Sequence, residues 1–352
     1  MRDPGDVGVD VVIDNYNYAE FLPRALESAR AQTHPAVRVI VVDDGSSDGS
    51  RQLLRDLGDD VEVVLKENGG QGSALNAGFE RCRGDVVIFL DADDLLHPQA
   101  AARVAAAFAA AEPPARVQYR MDVIDAAGSP TGETKPFGHL PMPSGDLRAA
   151  ELAYSFDLGW MPTSANAFRA DVLRRVLPMP ADTYRILADW YLVHTTTLFG
   201  PVRSLDEVLA SYRVHGANNF EHQQAELDLG RIRSNIRLAQ PTVAALRRFG
   251  AELELPLPPR TTSLADLGNR MISLRLEPRQ HPLAETRRSL LAEALRTIPR
   301  RDDVSAAMKS TYAAWFTAAA LAPRPLARRL ALFFLYPERR TGFNRLLARL
   351  HR

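Results

Sequence analysis

Cysteine is nearly absent: Cys82 is the single one in 352 residues. No internal disulfide can form, and a zinc site built on several cysteines is excluded. A lone thiol suits a reducing compartment. The expectation is a cytoplasmic protein, with the inner face of a membrane as the place of any peripheral contact. No run of about 18 apolar residues occurs, so no spanning helix is expected. The opening residues, MRDPGDVGVD, lack the charged start and apolar core of a secretory leader. Lysine is scarce, at Lys66, Lys135 and Lys309, and arginine carries most of the positive charge. The 43 basic residues balance 43 acidic ones, which argues against broad nucleic-acid binding by the whole chain.

What is present is ordered. Apolar residues make up 46% of the chain, an ordinary share for a globular protein. In the first hundred residues, β-branched runs at 9–13, 37–44, 61–67 and 85–93 alternate with helical patterns. Continuous apolar runs suit strands covered on both faces, the habit of parallel sheets. The helical patterns place Leu22, Leu26 and Ala29 on one face, then Leu75, Phe79 and Cys82 on another, with Gly58 and Gly84 as stops. Strand–helix alternation predicts an α/β fold, a mostly parallel twisted sheet flanked by helices. Residues 98–222 read as mixed. They hold an alanine-rich helix at 99–111, short strands near 116–125 and a long irregular Pro/Gly-rich stretch from Gly128 to Asp146. Beyond about 222 strand signals vanish and only helical patterns remain. The expected domains are 1–222 and an all-helical 223–352.

The strand ends carry the chemistry. The first ends in Asp14-Asn15-Tyr16-Asn17, the second in Asp43-Asp44-Gly45-Ser46, the fourth in Asp91-Ala92-Asp93-Asp94. Asn68-Gly69-Gly70-Gln71-Gly72 follows the third. Parallel strands finish on one edge, so these segments should gather in one crevice. Carboxylates so gathered repel unless a cation joins them, and two carboxylates with phosphate oxygens suit magnesium or manganese. Glycine-rich backbone beside them allows a phosphate or sugar to approach closely.

The segments VVIDNYNYAEFLPRALESARAQTHP, VIVVDDGSSDGS, ENGGQGSALNAGFERCRGDVVIFLDADD and the later YRVHGANN resemble, in order and spacing, a family 2 glycosyltransferase with the GT-A fold. The resemblance covers residues 9–220. It implies an inverting transfer from a nucleotide-diphosphate sugar, UDP-linked, to an acceptor hydroxyl, with Mn2+ or Mg2+ as cofactor. Residue by residue, it implies that Asp93 binds the metal and that Asp91 reaches the ribose, or the metal through water. Asp44 would accept from the uracil imide and Tyr16 pack on the base, beside Asp14 and Asn15. Gly70, Gln71 and Asn76 would lie near base and ribose, with Ala92 between the two donor acids and His215 completing the metal shell. Asp14 departs from the proline that relatives often carry there. Asp189, in YRILADWYLVH, matches the acid near the acceptor hydroxyl, although Ala188 stands where many relatives have Glu. Its role is chemically sound, because an attacking alcohol must lose a proton and a placed carboxylate can take it.

Plainer readings exist for several of these residues. Asp94 is expected to cap the helix that follows, and Asp43 to hold local backbone. Tyr16 could be an ordinary core aromatic, and His215 a buried, satisfied histidine. Thr163, Ser164, Asn166 and Trp190 are candidate contacts to sugar or acceptor, the first three equally suited to ending a strand. In the last thirty residues eight arginines face one acid, Glu338. Leu326, Leu330, Phe333 and Phe334 form one apolar stripe there, and Phe343, Leu346, Leu347 and Leu350 a second. Such helices suit an anionic membrane surface, a second copy of the chain, or plain packing onto the catalytic domain, which is the commoner use of an apolar stripe. The expected partners are the donor and a hydroxyl acceptor, either a saccharide, a lipid-linked saccharide or a small molecule. Two rival functions are a non-catalytic nucleotide-sugar-binding scaffold and a sugar-phosphate nucleotidyltransferase. The latter wants a basic, glycine-rich loop after the first strand, and DNYNYAEF offers none.

Overall fold

The computed structural model describes residues 2–58, 60–136, 140–216, 218 and 227–335. They fall into two compact units: the described residues of 1–152, 158–218 and 244–259 make the first, and those of 153–157, 219–243 and 260–352 the second.

The first unit is built on one nine-stranded sheet. Strands β1 (Val9–Asn15), β2 (Val37–Asp44), β3 (Val61–Lys66) and β4 (Val86–Asp91) lie in the order β3-β2-β1-β4, all parallel. The middle strands read as unbroken apolar runs because both faces are covered, and Val11, Val12, Ile13, Val41, Ile88 and Leu90 are fully buried. The helix Leu22–Arg30 turns Leu22, Ala25, Leu26 and Ala29 onto this core, the face expected from their spacing. Beyond β4 the sheet becomes mixed. It continues through β5 (Leu95–Leu96), β6 (Arg116–Ile124), β7 (Pro130–Lys135), β8 (Asn166–Arg169) and β9 (Val202–Arg213) in the spatial order β4-β8-β6-β9-β5, with β7 beside β6.

Two expectations are corrected here. The Pro/Gly-rich stretch after Gly128 is not wholly irregular, since its residues 130–135 pair antiparallel with β6. An edge strand needs no apolar face, so periodicity gives no signal for it, and proline is tolerated as its first residue. Asp94 does not cap a helix. His97 precedes Pro98, which disfavours helical backbone, and the next helix runs Ala100–Phe108 behind an N-cap at Gln99. Asp94 is followed instead by β5.

The second unit is helical, as its sequence pattern implies. Helices Leu264–Leu276, Arg287–Thr297, Ala306–Leu321 and Arg324–Leu335 enclose a core that includes Leu267, Met271, Leu290 and Phe316. Phe334 stacks on Trp315 at 4.2 Å and fills the space over Gly268. Leu330, Phe333 and Phe334 of the first apolar stripe therefore face this core, while Leu326 is 47% exposed. The second stripe lies outside the described residues. No helix among the described residues is long and apolar enough to cross a membrane.

Candidate active site

Sheet direction brings the site together. β8 runs antiparallel to β4 and to β6, and β6 runs parallel to β9. The carboxyl ends of β1, β2, β4 and β9 thus share an edge with the amino end of β8. On that edge stand Asp14, Asp44, Asp91, Arg213 with the following His215, and the turn Thr163–Ala165. Asp14 and Asp91 are register partners.

The acids sit close. Carboxylate oxygens of Asp91, Asp93 and Asp94 all lie within 4.8 Å of one another. Asp14 and Asp91 face each other from neighbouring strands, and each feels the other's charge in a buried setting. Burial pushes Asp14 up to about 7, with the charge of Asp93 adding to the shift. Burial, then the fields of Asp14, Asp94, Asp93 and Asp189, hold Asp91 well above the ordinary carboxylate range. Asp94 is raised by burial and by Asp93. Asp93 Oδ2 lies 3.0 Å from His215 Nε2, and His215 packs against Phe21 at 4.6 Å and edge-on to Tyr18 at 5.5 Å. Asp94 Oδ1 accepts from the Arg213 backbone N–H at 2.9 Å, and Arg213 Nε donates to the Asp93 carbonyl at 2.7 Å. Arg213 and Asn218 are thus supports for the acids that the sequence reading did not single out, although both lie in or beside YRVHGANN. Asn218 donates to the Arg213 carbonyl at 2.7 Å.

The nucleotide side is more closed. Asp44 is buried, and its carboxylate accepts from Lys66 Nζ (2.5 Å), Gly69 N–H (2.9 Å), Gly70 N–H (2.6 Å) and Asn68 Nδ2 (3.2 Å). Lys66 was missed as a site residue, and its scarcity as a lysine at a strand end was the available signal. Gly70 has φ +86°, and a methyl there would run into Arg185. Asn15 is buried and donates to Asp43 (2.9 Å) and Ser46 (3.1 Å). Asp43 is held below its ordinary range: burial would raise it, but bonds from Ser46, Arg51 and Asn15 outweigh that. Asp43 therefore holds local backbone, as expected. Tyr16 is 49% exposed, so it is no core aromatic. Ala92 is buried between the acids. Asn76 is not brought to them; its amide clasps the backbone of Met179 with a bond of 2.9 Å in each direction.

Asp189 lies in the first turn of the helix Ala188–Thr196, and its Oδ1 accepts from the Trp190 N–H at 2.8 Å. Its field reaches Asp91. Trp190 packs edge-on to His194 at 5.1 Å, and His194 Nδ1 lies 2.7 Å from Glu151 Oε1, a buried pair that sequence patterning did not reveal. Thr163 and Ser164 are buried beside the acids: Ser164 Oγ accepts from the Asp91 N–H at 3.1 Å. Asn166 is placed in the sheet interior rather than on a sugar-binding rim. It accepts from Arg116 at 2.6 Å and donates to the carbonyls of Met161 and Pro162.

Comparison with known proteins bears on this geometry. Residues 10–177 match the model of Glycosyl transferase family 2. That region is a family 2 glycosyltransferase domain. The chain is 38% identical over 215 residues to an uncharacterized glycosyltransferase of Nostoc sp., a match spanning 60% of this chain and 66% of that one. It is 48% identical over 93 residues to an undecaprenyl-phosphate 4-deoxy-4-formamido-L-arabinose transferase of Pseudomonas fluorescens, covering 24% of this chain and 27% of that one. The chain thus spans just under two thirds of the first relative and about a quarter of the second. In three dimensions it resembles the crystal structure of S. aureus TarS 1-349, with a TM-score of 0.50 and 15% identity over 92% of this chain and 91% of that one. At that identity the likeness speaks to the fold, a GT-A sheet followed by helices.

The acid cluster of this glycosyltransferase domain suits a hard divalent cation. Its donors are oxygens, and Asp14 Oδ1 and Asp94 Oδ2 are buried without a partner among the described residues.

Proposed function

We propose that the chain is an inverting glycosyltransferase carrying a sugar from a UDP-linked donor to an acceptor hydroxyl in a single displacement, with catalysis in residues 1–222. The observation that carries this reading is the convergence of Asp14, Asp91, Asp93 and Asp94 on one sheet edge, with Asp189 close enough for its charge to be felt at Asp91. Asp93, with Asp91 and His215, would hold Mn2+ or Mg2+, which supplies Lewis-acid stabilisation of the departing diphosphate. Asp189 takes the proton from the attacking hydroxyl. One base suffices for inversion, since no carboxylate need act as a nucleophile. The half-exposed ring of Tyr16 offers a face for the uracil. Asp44 receives the imide N–H as one of its present donors is displaced, and Trp190 with Thr163 lines the sugar and acceptor side. The acceptor is a saccharide, a lipid-linked saccharide or a small molecule. Leu330, Phe333 and Phe334 serve the helical unit's own core, the commoner use of an apolar stripe, and peripheral membrane contact or a homodimer is the secondary reading of the C-terminal helices.

The test is transfer, or donor hydrolysis, from UDP-sugars with manganese, comparing the wild type with Asp93→Ala and Asp189→Asn. Loss of about 100-fold or more in each is expected; full activity in both would sink the assignment. Tight UDP binding without turnover on any acceptor would favour the scaffold reading.

A further inference from the structure

Gln71 opens the helix Gln71–Phe79, and its side-chain amide joins two parts of the site. Nε2 donates to Asp91 Oδ1 at 2.9 Å and to Thr163 Oγ1 at 3.4 Å. Oε1 accepts from the backbone N–H of Ala188 at 3.1 Å. The amide cannot be turned round: an N–H can only donate, and a flipped amide would set its NH2 against Ala188 and its oxygen against the Asp91 carboxylate. The backbone reinforces the same joint. The Gln71 N–H donates to the Arg185 carbonyl at 2.8 Å and the Gly72 N–H to the Tyr184 carbonyl at 3.2 Å.

What Gln71 grips is a strained turn. Leu187, the residue before Ala188, has φ 65° and ψ 44°, left-handed backbone that a γ-branched residue adopts at a cost. It is the N-cap of the helix bearing Asp189, it makes no side-chain cap, and Asp189 follows the gripped Ala188 directly. Strain of this kind persists where the surroundings over-determine it and clusters at functional sites.

We propose that Gln71 is a positioning residue that sets the Asp189 carboxylate in register with Asp91, so that the group receiving the proton and the group facing the donor are fixed by one side chain. The proposal rests on the reading of Asp189 as the base. A displacement of Asp91 toward a bound donor passes to Ala188 through a single amide, and the Leu187 turn lets the helix start respond.

The experiment is a double-mutant cycle in the full chain with a UDP-sugar, manganese and an acceptor, read as kcat and KM, with UDP binding measured separately by calorimetry. Gln71→Leu is expected to lower kcat by about 10-fold to 100-fold while the affinity for UDP changes by no more than about threefold. Adding it to Asp189→Asn should cost little further, because Gln71 acts through Asp189. Leu187→Gly, which removes the strain, should restore part of the kcat lost in Gln71→Leu. If the leucine variant does not fold, Gln71→Glu keeps an acceptor for Ala188 and sets like charge against Asp91, and the same cycle applies. Additive losses in the double variant, or weakened UDP binding with kcat unchanged, would overturn the proposal and leave the base assignment standing. Full activity of Asp189→Asn would overturn both.

Discussion

The helical unit and the acid cluster of the sheet unit treat carboxylates in opposite ways. In the helical unit, arginine clasps the carboxylates: Arg270 reaches the part-buried Asp266 (3.3 Å) and Glu285 (2.5 Å) and the exposed Glu293 (3.0 Å), and Arg301 reaches Asp157 and the exposed Asp303. On the sheet edge of the other unit, Asp14, Asp91, Asp93 and Asp94 face one another among a histidine, an amide and backbone N–H groups, and burial with mutual repulsion keeps Asp14, Asp91 and Asp94 raised although the charges of Lys135 and Arg213 act on the cluster. The first unit also pairs Asp43 with Arg51 and Asp44 with Lys66, so the crowding is confined to the cluster itself. The crowded cluster is the one organised toward a ligand, since carboxylates held above their ordinary range by burial and by one another mark a site.

Breaking the clasped side should give the largest change in stability. Arg270→Ala leaves Asp266 and Glu285 largely buried without their cation, and the expected cost is about 3–5 kcal/mol in denaturant unfolding. Donor turnover per folded molecule should hold. The sharpest contrast comes from adding charge to the unclasped side. Manganese at a hundred times its dissociation constant should stabilise the protein by about 2.7 kcal/mol, read as a rise in melting temperature, and Asp93→Ala should abolish the rise. A smaller effect tests the exposed edge of the site. Tyr16→Ala should weaken UDP binding by about 1–2 kcal/mol, the worth of one base on one ring, with the melting temperature unchanged because the ring is half in solvent.

The contrast also explains what the sequence made legible. Parallel strands announce themselves as unbroken apolar runs, and their polar endings fall on one edge by topology alone, so Asp14, Asp44, Asp91 and Asp93 could be grouped without coordinates. Asp189 and His215 needed family resemblance, because nothing in their spacing ties them to β4. The rest is tertiary. β7 has no apolar face to betray it, and Pro98 moved a helix start beyond the reach of Asp94. That Asn76 and Asn166 are occupied by backbone and Arg116 depends on contacts across more than 40 residues. The Glu151–His194 pair and the left-handed Leu187 have no one-dimensional signature at all.

The smallest predicted effect probes the clasp itself. Burial pushes Asp266 up to about 6 despite Arg270 beside it, with Glu285 and Glu293 adding to the rise. One cation shared among three carboxylates returns less to Asp266 than burial removes. The sign follows from proton counting. Between the unfolded value near 4 and the folded value near 6, the folded state holds the proton more firmly, so stability declines as pH rises through that window and is flat above it. Asp266→Asn removes the titrating group while Arg270 keeps Glu285 and Glu293. The variant should lack that decline, and its stability relative to the wild type should improve by the order of 1 kcal/mol between pH 4 and pH 7. Parallel pH profiles of urea midpoints for the two proteins decide it. If they stay parallel, the carboxyl of Asp266 titrates as an ordinary surface acid and Arg270 fully offsets its burial; if the gap opens as pH falls, the clasp is stronger than the burial it offsets.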